Sequence, residues 1–265
     1  MAIRDILCNS VKEKLARDEV VASMTVRLVR SIEIARIAHT AGFDTLYVDL
    51  EHSSFSLETC SQICIAALEA GIAPLVRVPA NTPDYIARVL EGGALGVIAP
   101  HIASAVEARA VVTAARFPPA GERSAAGALP HLQFRSFPVA EAYAALNAAT
   151  TVMVQFETGD ALARAEEIVA VEGIDMVMIG TNDLLADWGM PEQYEHPKLR
   201  EAYAATLAIC RRHRKHVGIG GLASRPELVA EFVRMGARYV STGTDLSFLI
   251  GACAERAKQV HDIAL

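Results

Sequence analysis

The chain has 265 residues, 52% of them hydrophobic and 21% charged, with a formal net charge of −6 at pH 7. So much apolar material excludes a disordered chain, and an acidic balance without a long basic run excludes a nucleic-acid footprint. No uncharged apolar stretch approaches the ~20 residues of a bilayer span, and residues 1–19 mix acids among their bases, unlike a secretory leader. The five cysteines, Cys8, Cys60, Cys64, Cys210 and Cys253, lack the even count of a disulfide framework. A soluble, cytoplasmic protein with reduced thiols and neither membrane nor nucleic-acid partners is expected.

In chain order, a β-rich apolar run at 20–26 predicts the first strand, and a stretch of helical period follows at 31–41. The same alternation continues with a strand at 45–49, a helix at 57–70, a strand at 73–78, a helix at 83–91, a strand at 96–99 and a helix at 104–117. After a gap at 118–149 come a strand at 151–156, a helix at 159–169, a strand at 176–179 and a helix at 197–213. The chain closes with a strand at 217–220, a helix at 225–235, a strand at 239–242 and a helix from 246 to about 263. The strands are almost continuously apolar, as parallel strands covered on both faces are. Gly42, Gly71, Gly93 and Gly236 follow helical stretches and fit C-caps turning into the next strand. Eight strands alternating with eight helices, without a linker, predict a single-domain (β/α)₈ barrel of the TIM type over 1–265. An open doubly wound sheet is the runner-up, but no G-x-G-x-x-G follows any strand. The 118–149 segment, rich in Pro, Gly, Ser and Ala, is read as a long functional or interfacial loop.

In such a barrel the active site is built at the C-terminal ends of the strands. Those ends carry Asp49, Glu51 and His52 after the second strand, Arg77 on the third and His101 after the fourth. Gln155 and Glu157 follow on the fifth, and Asn182 and Asp183 after the sixth. Singly, each has a structural reading as well: Arg77 as an ion-pair partner, Glu157 as a helix-capping acid, Asp183 as the cap of a short turn. Together they gather charge at one end of an apolar barrel, and buried charges need partners or a ligand. Glu157 and Asp183, carboxylates on neighbouring strands, suit a hard divalent cation such as Mg²⁺ or Mn²⁺. Cys60 and Cys64, one helical turn apart, read as buried apolar residues and not as a zinc site. The basic run 211–216 reads as a solvated helix end, and His131, His196 and His261 as surface residues. No lysine lies at a strand end, which argues against Schiff-base chemistry.

The run Tyr47-Val48-Asp49-Leu50-Glu51-His52 resembles the D-x-E-H signature of the HpcH/HpaI aldolases, the 2-oxo-diacid (4-hydroxy-2-oxoheptanedioate type) class II aldolases of the phosphoenolpyruvate/pyruvate barrel superfamily. Further blocks resemble the family in the same order: Val76-Arg77-Val78-Pro79, the glycine-rich stretch from Gly92 to Pro100, Arg116-Phe117-Pro118-Pro119 with Gly121 and Arg123, Val154-Gln155-Phe156-Glu157-Thr158, and Ile179-Gly180-Thr181-Asn182-Asp183-Leu184. The resemblance runs from Ala41 to about Gly251. It implies an aldehyde-lyase that makes or cleaves 4-hydroxy-2-oxo acids through a pyruvate enolate, giving pyruvate and an aldehyde. It also implies a divalent ion (Mg²⁺, Mn²⁺ or Co²⁺) on Glu157 and Asp183, Arg77 on the enolate oxygen, and His52 in the acid–base steps with Asp49 orienting it. Gln155 is expected beside the metal, and backbone N–H groups of Gly180, Thr181 and Asn182 on the pyruvate carboxylate. Further, it implies a homo-oligomer, a hexamer built as a trimer of dimers, with the last helix swapped between paired subunits. The apolar stretch from Leu246 to Cys253 supports such a contact.

Departures from the family pattern fall around the aldehyde pocket and leave the enolate half intact. Arg123 runs into Ser124-Ala125-Ala126-Gly127, the sixth turn reads Gly180-Thr181-Asn182-Asp183, the first strand offers Thr25, Arg27 and Arg30, and 218–221 is small. The alternatives are an acyl-CoA lyase of the malyl-CoA type, an oxaloacetate decarboxylase using the same enolate chemistry, and a non-catalytic binding barrel. Extra basic contacts for CoA are not identifiable, and the filled catalytic positions disfavour a silent barrel.

Overall fold

The computed structural model describes residues 2–124 and 127–263. Eight parallel strands close into a barrel in sequence order: β1 (Val21–Val26), β2 (Thr45–Asp49), β3 (Ala73–Arg77), β4 (Gly96–Ala99), β5 (Thr151–Phe156), β6 (Met176–Gly180), β7 (His216–Gly220) and β8 (Tyr239–Thr244). The helices outside it are α2 (Glu33–Thr40), α3 (Leu57–Ala70), α4 (Pro83–Glu91), α5 (Ala105–Ala115), α10 (Pro197–Arg212), α11 (Pro226–Met235) and α12 (Asp245–His261), with α7 (Gly159–Ala163) and α8 (Ala165–Val169) sharing one place. The expected helix at 159–169 is thus broken at Arg164, whose backbone (φ −104°, ψ 13°) leaves the helical well.

Three helices were not expected. The segment before β1 forms α1 (Ser10–Ala16), capped by Asn9, whose Oδ1 accepts from the Val11 and Lys12 amides while Nδ2 donates to Leu95 O, Ala149 O and Thr151 Oγ1. The 118–149 segment is not a loop throughout: α6 (Val139–Ala149) fills its last third, preceded by a single 3₁₀ turn at Pro130–Leu132. Alanine gives α6 a good helix propensity and little apolar contrast, and its buried residues are Ala142 and Leu146. A third, α9 (Thr181–Asp187), starts directly off β6. Ala125 and Ala126, part of the departure after Arg123, lie outside the described residues.

The strands obey a period of two that apolar content alone conceals. Leu46 and Val48 on β2, Val76 on β3, Val152 and Val154 on β5, and Val177 and Ile179 on β6 pack in the cluster shared with the helices. The alternate residues Tyr47, Leu75, Met153, Met176 and Met178 form a second cluster in the lumen, joined by Val11 and Leu15 of α1 at the lower end. Each such side chain contributes about 1.5–3 kcal/mol by its burial. Continued upward, the luminal face of β2 ends on Asp49, of β3 on Arg77, of β5 on Gln155 and of β6 on Gly180. The lower lumen is apolar and the upper lumen polar.

Two expectations about charge and burial change. His131 is not a surface residue: it is buried, and Nε2 donates to Ala94 O at 2.9 Å. Burial holds its imidazole down, to a pKa of about 4. The basic run 211–216 is only partly a solvated helix end. Arg212 and His213 pair with Glu166, whereas Lys215 tucks its ammonium against the carbonyls of Val169 and Val171, and His216 opens β7. Cys60 and Cys64 are buried free thiols as expected. Every residue of α12 after Asp245 is exposed, including Leu249 (52%), Ile250 (58%) and Val260 (66%). Among the described residues no helix is long and apolar enough to cross a membrane.

Candidate active site

The upper lumen opens into a cavity of about 450 Å³ whose walls include His52, Arg77, Gln155, Gly180, Thr181, Asn182 and Asp183. The expected residues on β2, β3, β5 and β6 therefore meet in one place, with Asp49 and Glu157 buried at its edge. Arg77 is the most firmly held. Its Nε and Nη2 donate to Asp49 Oδ1 and Oδ2 at 2.9 and 2.6 Å, and its Nη1 lies 2.7 Å from Glu51 Oε2. A planar fork between two carboxylates has its orientation fixed, as a lysine ammonium would not. Burial opposes the charge of Arg77, but the Asp49 hydrogen bonds and neighbouring negative charge raise its pKa overall.

Asp49 does not orient the His52 imidazole, and this corrects the expectation. Both its oxygens are taken by guanidinium groups, since Arg27 Nε also donates to Oδ2 at 2.5 Å. What Asp49 does for the His52 turn is accept the backbone amides of Glu51 and His52 on Oδ1, at 3.1 and 3.2 Å. The imidazole itself is half exposed, with Nε2 3.9 Å from Glu51 Oε2. Burial pushes the Asp49 carboxyl up, yet the hydrogen bonds and charge of Arg77, with the charge of Arg27, hold it below its ordinary value.

Glu157 shows the opposite balance. It is 3% exposed, and burial, reinforced by the charges of Asp183 and Glu51, raises its carboxyl above the ordinary range. Its Oε2 accepts the His101 backbone amide at 2.8 Å and lies 2.8 Å from His101 Nδ1, while His101 Nε2 meets Glu51 Oε1 at 2.7 Å. His101, named at a strand end without a role, thus bridges two carboxylates from a left-handed backbone position (φ 56°). Glu157 is not a helix cap; Thr158 caps α7 instead. Gly180 is required by close approach: a Cβ there would stand 2.7 Å from Glu157 Cγ.

Among the described residues no group of three or more His, Cys, Asp and Glu is placed to hold a metal ion. The carboxylate pair Glu157 and Asp183 still fits a hard divalent cation, because an excess of negative charge at a buried oxygen donor is what such an ion relieves. Ions of this class complete their shell with water and substrate oxygens.

Asp183 sits in the first turn of α9 and is exposed. Thr181 turns its hydroxyl to Tyr203 OH (2.9 Å), so only its backbone amide is left for a ligand. Asn182 accepts from Tyr194 OH at 2.9 Å, and Gly221 (φ 79°) packs against it where a Cβ would come within 3.1 Å. Gln155 is buried, 3.5 Å from Tyr47 OH, with the Tyr47 ring beneath Arg77. Tyr47, Met178, Tyr194, Ser224, Ser241 and Ser247 also line the cavity and were not singled out. Tyr47 was within reach, because it shares the luminal face of β2 with Asp49; Tyr194 lies in an irregular segment that carries no periodic signal.

Residues 28–252 match the family described as HpcH/HpaI aldolase/citrate lyase. A 4-hydroxy-4-methyl-2-oxoglutarate aldolase from Hapsidospora irregularis is 36% identical over 260 residues, covering 97% of this chain and 96% of that one. A 2-keto-3-deoxy-L-rhamnonate aldolase from Escherichia coli is 32% identical over 251 residues, covering 95% and 92%. The crystal structure of an HpcH/HpaI aldolase from Desulfitobacterium hafniense superposes with a TM-score of 0.90 at 30% identity, covering 96% of this chain and 97% of that one. With that agreement across nearly its whole length, and with the expected residues assembled at the barrel mouth, the chain is an aldolase-type carbon–carbon lyase and belongs to the HpcH/HpaI aldolase/citrate lyase family.

Proposed function

We propose that the protein is a divalent-metal-dependent aldolase that cleaves or forms 4-hydroxy-2-oxo acids, with pyruvate as one product and an aldehyde or related carbonyl compound as the other. The observation that carries this reading is a rigidly paired arginine, Arg77, in a cavity that Asp183 also lines, with the buried carboxyl of Glu157 against Gly180 of the same wall. Cleavage removes the C4 hydroxyl proton, breaks the C3–C4 bond and leaves its electron pair as an enolate on the C2 oxygen; C3 then takes a proton.

A divalent ion held by Glu157 and Asp183, such as Mg²⁺, Mn²⁺ or Co²⁺, supplies positive charge that lowers the cost of the enolate. The chain's own residues do the rest. Arg77, fixed by Asp49 and Glu51, donates to the oxygen on which charge develops and needs no reorganisation to do so. His52, half exposed on the cavity wall, moves the proton of the C4 hydroxyl. The backbone amides from Gly180 to Asn182 receive the pyruvate carboxylate, and Gln155 lies beside it. We read residues 1–265 as one barrel unit working in the cytoplasm, in keeping with five free thiols.

The test is pyruvate release from a panel of 4-hydroxy-2-oxo acids, before and after EDTA treatment. Activity should vanish on chelation and return with Mg²⁺, Mn²⁺ or Co²⁺. Full turnover by the chelated protein, or no pyruvate from any member of the panel, overturns the proposal.

A further inference from the structure

The cavity holds a second arginine that the enolate half does not use. Arg27 follows β1 and lines the same cavity. Arg77 is 4% exposed at its side chain and has all three guanidinium nitrogens committed to carboxylates, whereas Arg27 is 36% exposed and spends only Nε, on Asp49. Among the described residues its Nη1 and Nη2 have no hydrogen-bond partner. An arginine tethered at one nitrogen, with two donor nitrogens left over inside a cavity, is set up to take a planar anion on its free edge.

The root of the side chain is fixed as well. Asp245, itself buried, accepts the backbone amides of Arg27 (3.0 Å), Leu28 (2.9 Å) and Val29 (2.7 Å). The loop that carries Arg27 is therefore clamped to the start of α12, and little ordering remains to be done when a ligand arrives. Around Arg27 the wall is small and hydroxylated: Thr25 Oγ1 and Ser241 Oγ lie 3.0 Å apart, and Gly243, Thr244 and Ser247 complete it. This wall belongs to β1, β8 and the start of α12, and β5, which carries Gln155, stands four strands from β1 around the barrel.

The spacing between the two arginines gives the anion an address. Arg77 Nη2 and Arg27 Nε donate to the same Asp49 oxygen at 2.6 and 2.5 Å, so the two nitrogens are at most about 5 Å apart. In the cleavage reaction the C2 oxygen and the substituents of C4 are borne by carbons separated by one methylene. A group on C4 is thus presented to Arg27 when the C2 oxygen is presented to Arg77.

We propose that Arg27 binds a carboxylate on the C4 side of the substrate, so that the carbonyl fragment is an oxo acid and the substrate a 4-carboxy-4-hydroxy-2-oxo acid, not the adduct of a neutral aldehyde. This rests on the aldolase reading above and deepens it.

The experiment uses the full-length protein with added Mn²⁺ and pyruvate as donor. It compares kcat/KM for aldol addition to glyoxylate and to acetaldehyde, an acceptor of similar size without the carboxylate. Exchange of the pyruvate methyl protons in D₂O, followed by NMR on the same wild-type sample, reports the enolate half independently. Wild-type protein should favour glyoxylate by about a hundredfold or more, since the free edge of Arg27 pairs with its carboxylate and finds no such partner on acetaldehyde. In Arg27→Gln that ratio should collapse to within a few fold, and Arg27→Lys should retain an intermediate ratio. A wild type that exchanges pyruvate protons but shows no preference for glyoxylate overturns the assignment of Arg27 and leaves the aldolase reading standing. An equal loss on both acceptors in Arg27→Gln, with the ratio preserved, also overturns it, because it would reduce Arg27 to a support for Asp49. Absence of both exchange and addition in the wild type overturns the aldolase reading and this proposal with it.

Discussion

Asp49 carries two guanidinium groups and two backbone amides on a single buried carboxylate, so its removal is felt both in stability and in the site. Its folded pKa is depressed, so its contribution is fully present above the unfolded value of about 3.9 and is lost as pH falls through the folded value. Asp49→Asn leaves Arg77 and Arg27 facing each other without the intervening charge, at a cost of about 3–5 kcal/mol by analogy with other buried pairs broken on one side. Chemical unfolding between pH 2 and 7 should show the gap to wild type widest near neutrality and closing in acid, where the wild-type carboxyl is itself protonated. A gap that does not narrow in acid would contradict the charge argument. Arg77→Lys tests the site at the same scale. Lysine keeps the charge but cannot span Asp49 and Glu51 at once, so kcat should fall by about a hundredfold or more with a smaller change in KM. An unchanged kcat would make Arg77 a structural ion-pair partner only, the reading that its position in the sequence also allowed.

At the scale of elements, what was legible and what was not follow from contrast. Strands β2, β4 and β5 were delimited to the residue because Val, Ile, Leu and Met stand out against polar turns, and their polar ends, Asp49 and Gln155, marked the mouth of the barrel. Helix α6 was missed because more than half of Val139–Ala149 is alanine, which propagates a helix without a marked apolar stripe. The pairing of Asp49 with Arg27 was not legible either, since it depends on how β1 and β2 lie side by side. His131 failed for a related reason: the 3₁₀ turn that holds it, Pro130–Leu132, has no periodicity to reveal an inward face. That residue offers a pH test of the whole segment. Its folded pKa is lowered to about 4, so the unfolded chain takes up a proton near pH 6.5 that the folded chain refuses. Stability should therefore fall as pH drops from 6.5 towards 4, by up to about 1.4 kcal/mol per pH unit. In His131→Gln, whose amide can still donate to Ala94 O, that fall should be shallower in thermal melts across the same window. A slope equal to wild type would mean that His131 is protonated in the folded protein.

At the scale of the whole molecule, α12 is the element that the barrel does not explain. A helix of 17 residues carrying Leu246, Phe248, Leu249, Ile250 and Val260 stands exposed from its second residue onward, and Leu28, Ile32 and Ile37 in and before α2 are exposed as well. Exposed apolar residues concentrated on one element mark an association surface more often than a solvated one. Packing of α12 along its own barrel would have buried one face of it, and beyond the contact of Phe248 with Phe43 its apolar residues stay exposed. We therefore expect a second copy of the chain to cover α12, as the family resemblance implies, in an assembly that reaches a hexamer. The clamp of Asp245 on the Arg27, Leu28 and Val29 amides lies at the root of this helix, so the helix proposed as the interface and the loop that carries Arg27 share an anchor. Light scattering at micromolar concentration should give a mass several times 28.4 kDa. Placing a charge on the face, as in Leu249→Asp with Ile250→Asp, should lower that mass while far-ultraviolet circular dichroism still reports a folded barrel. Because the anchor is shared, the dissociated variant should also lose discrimination between glyoxylate and acetaldehyde more than it loses pyruvate proton exchange. A wild type that is monomeric and fully active, or a double variant whose mass does not change, would mean that α12 is not an interface and that the cavity is complete within one chain.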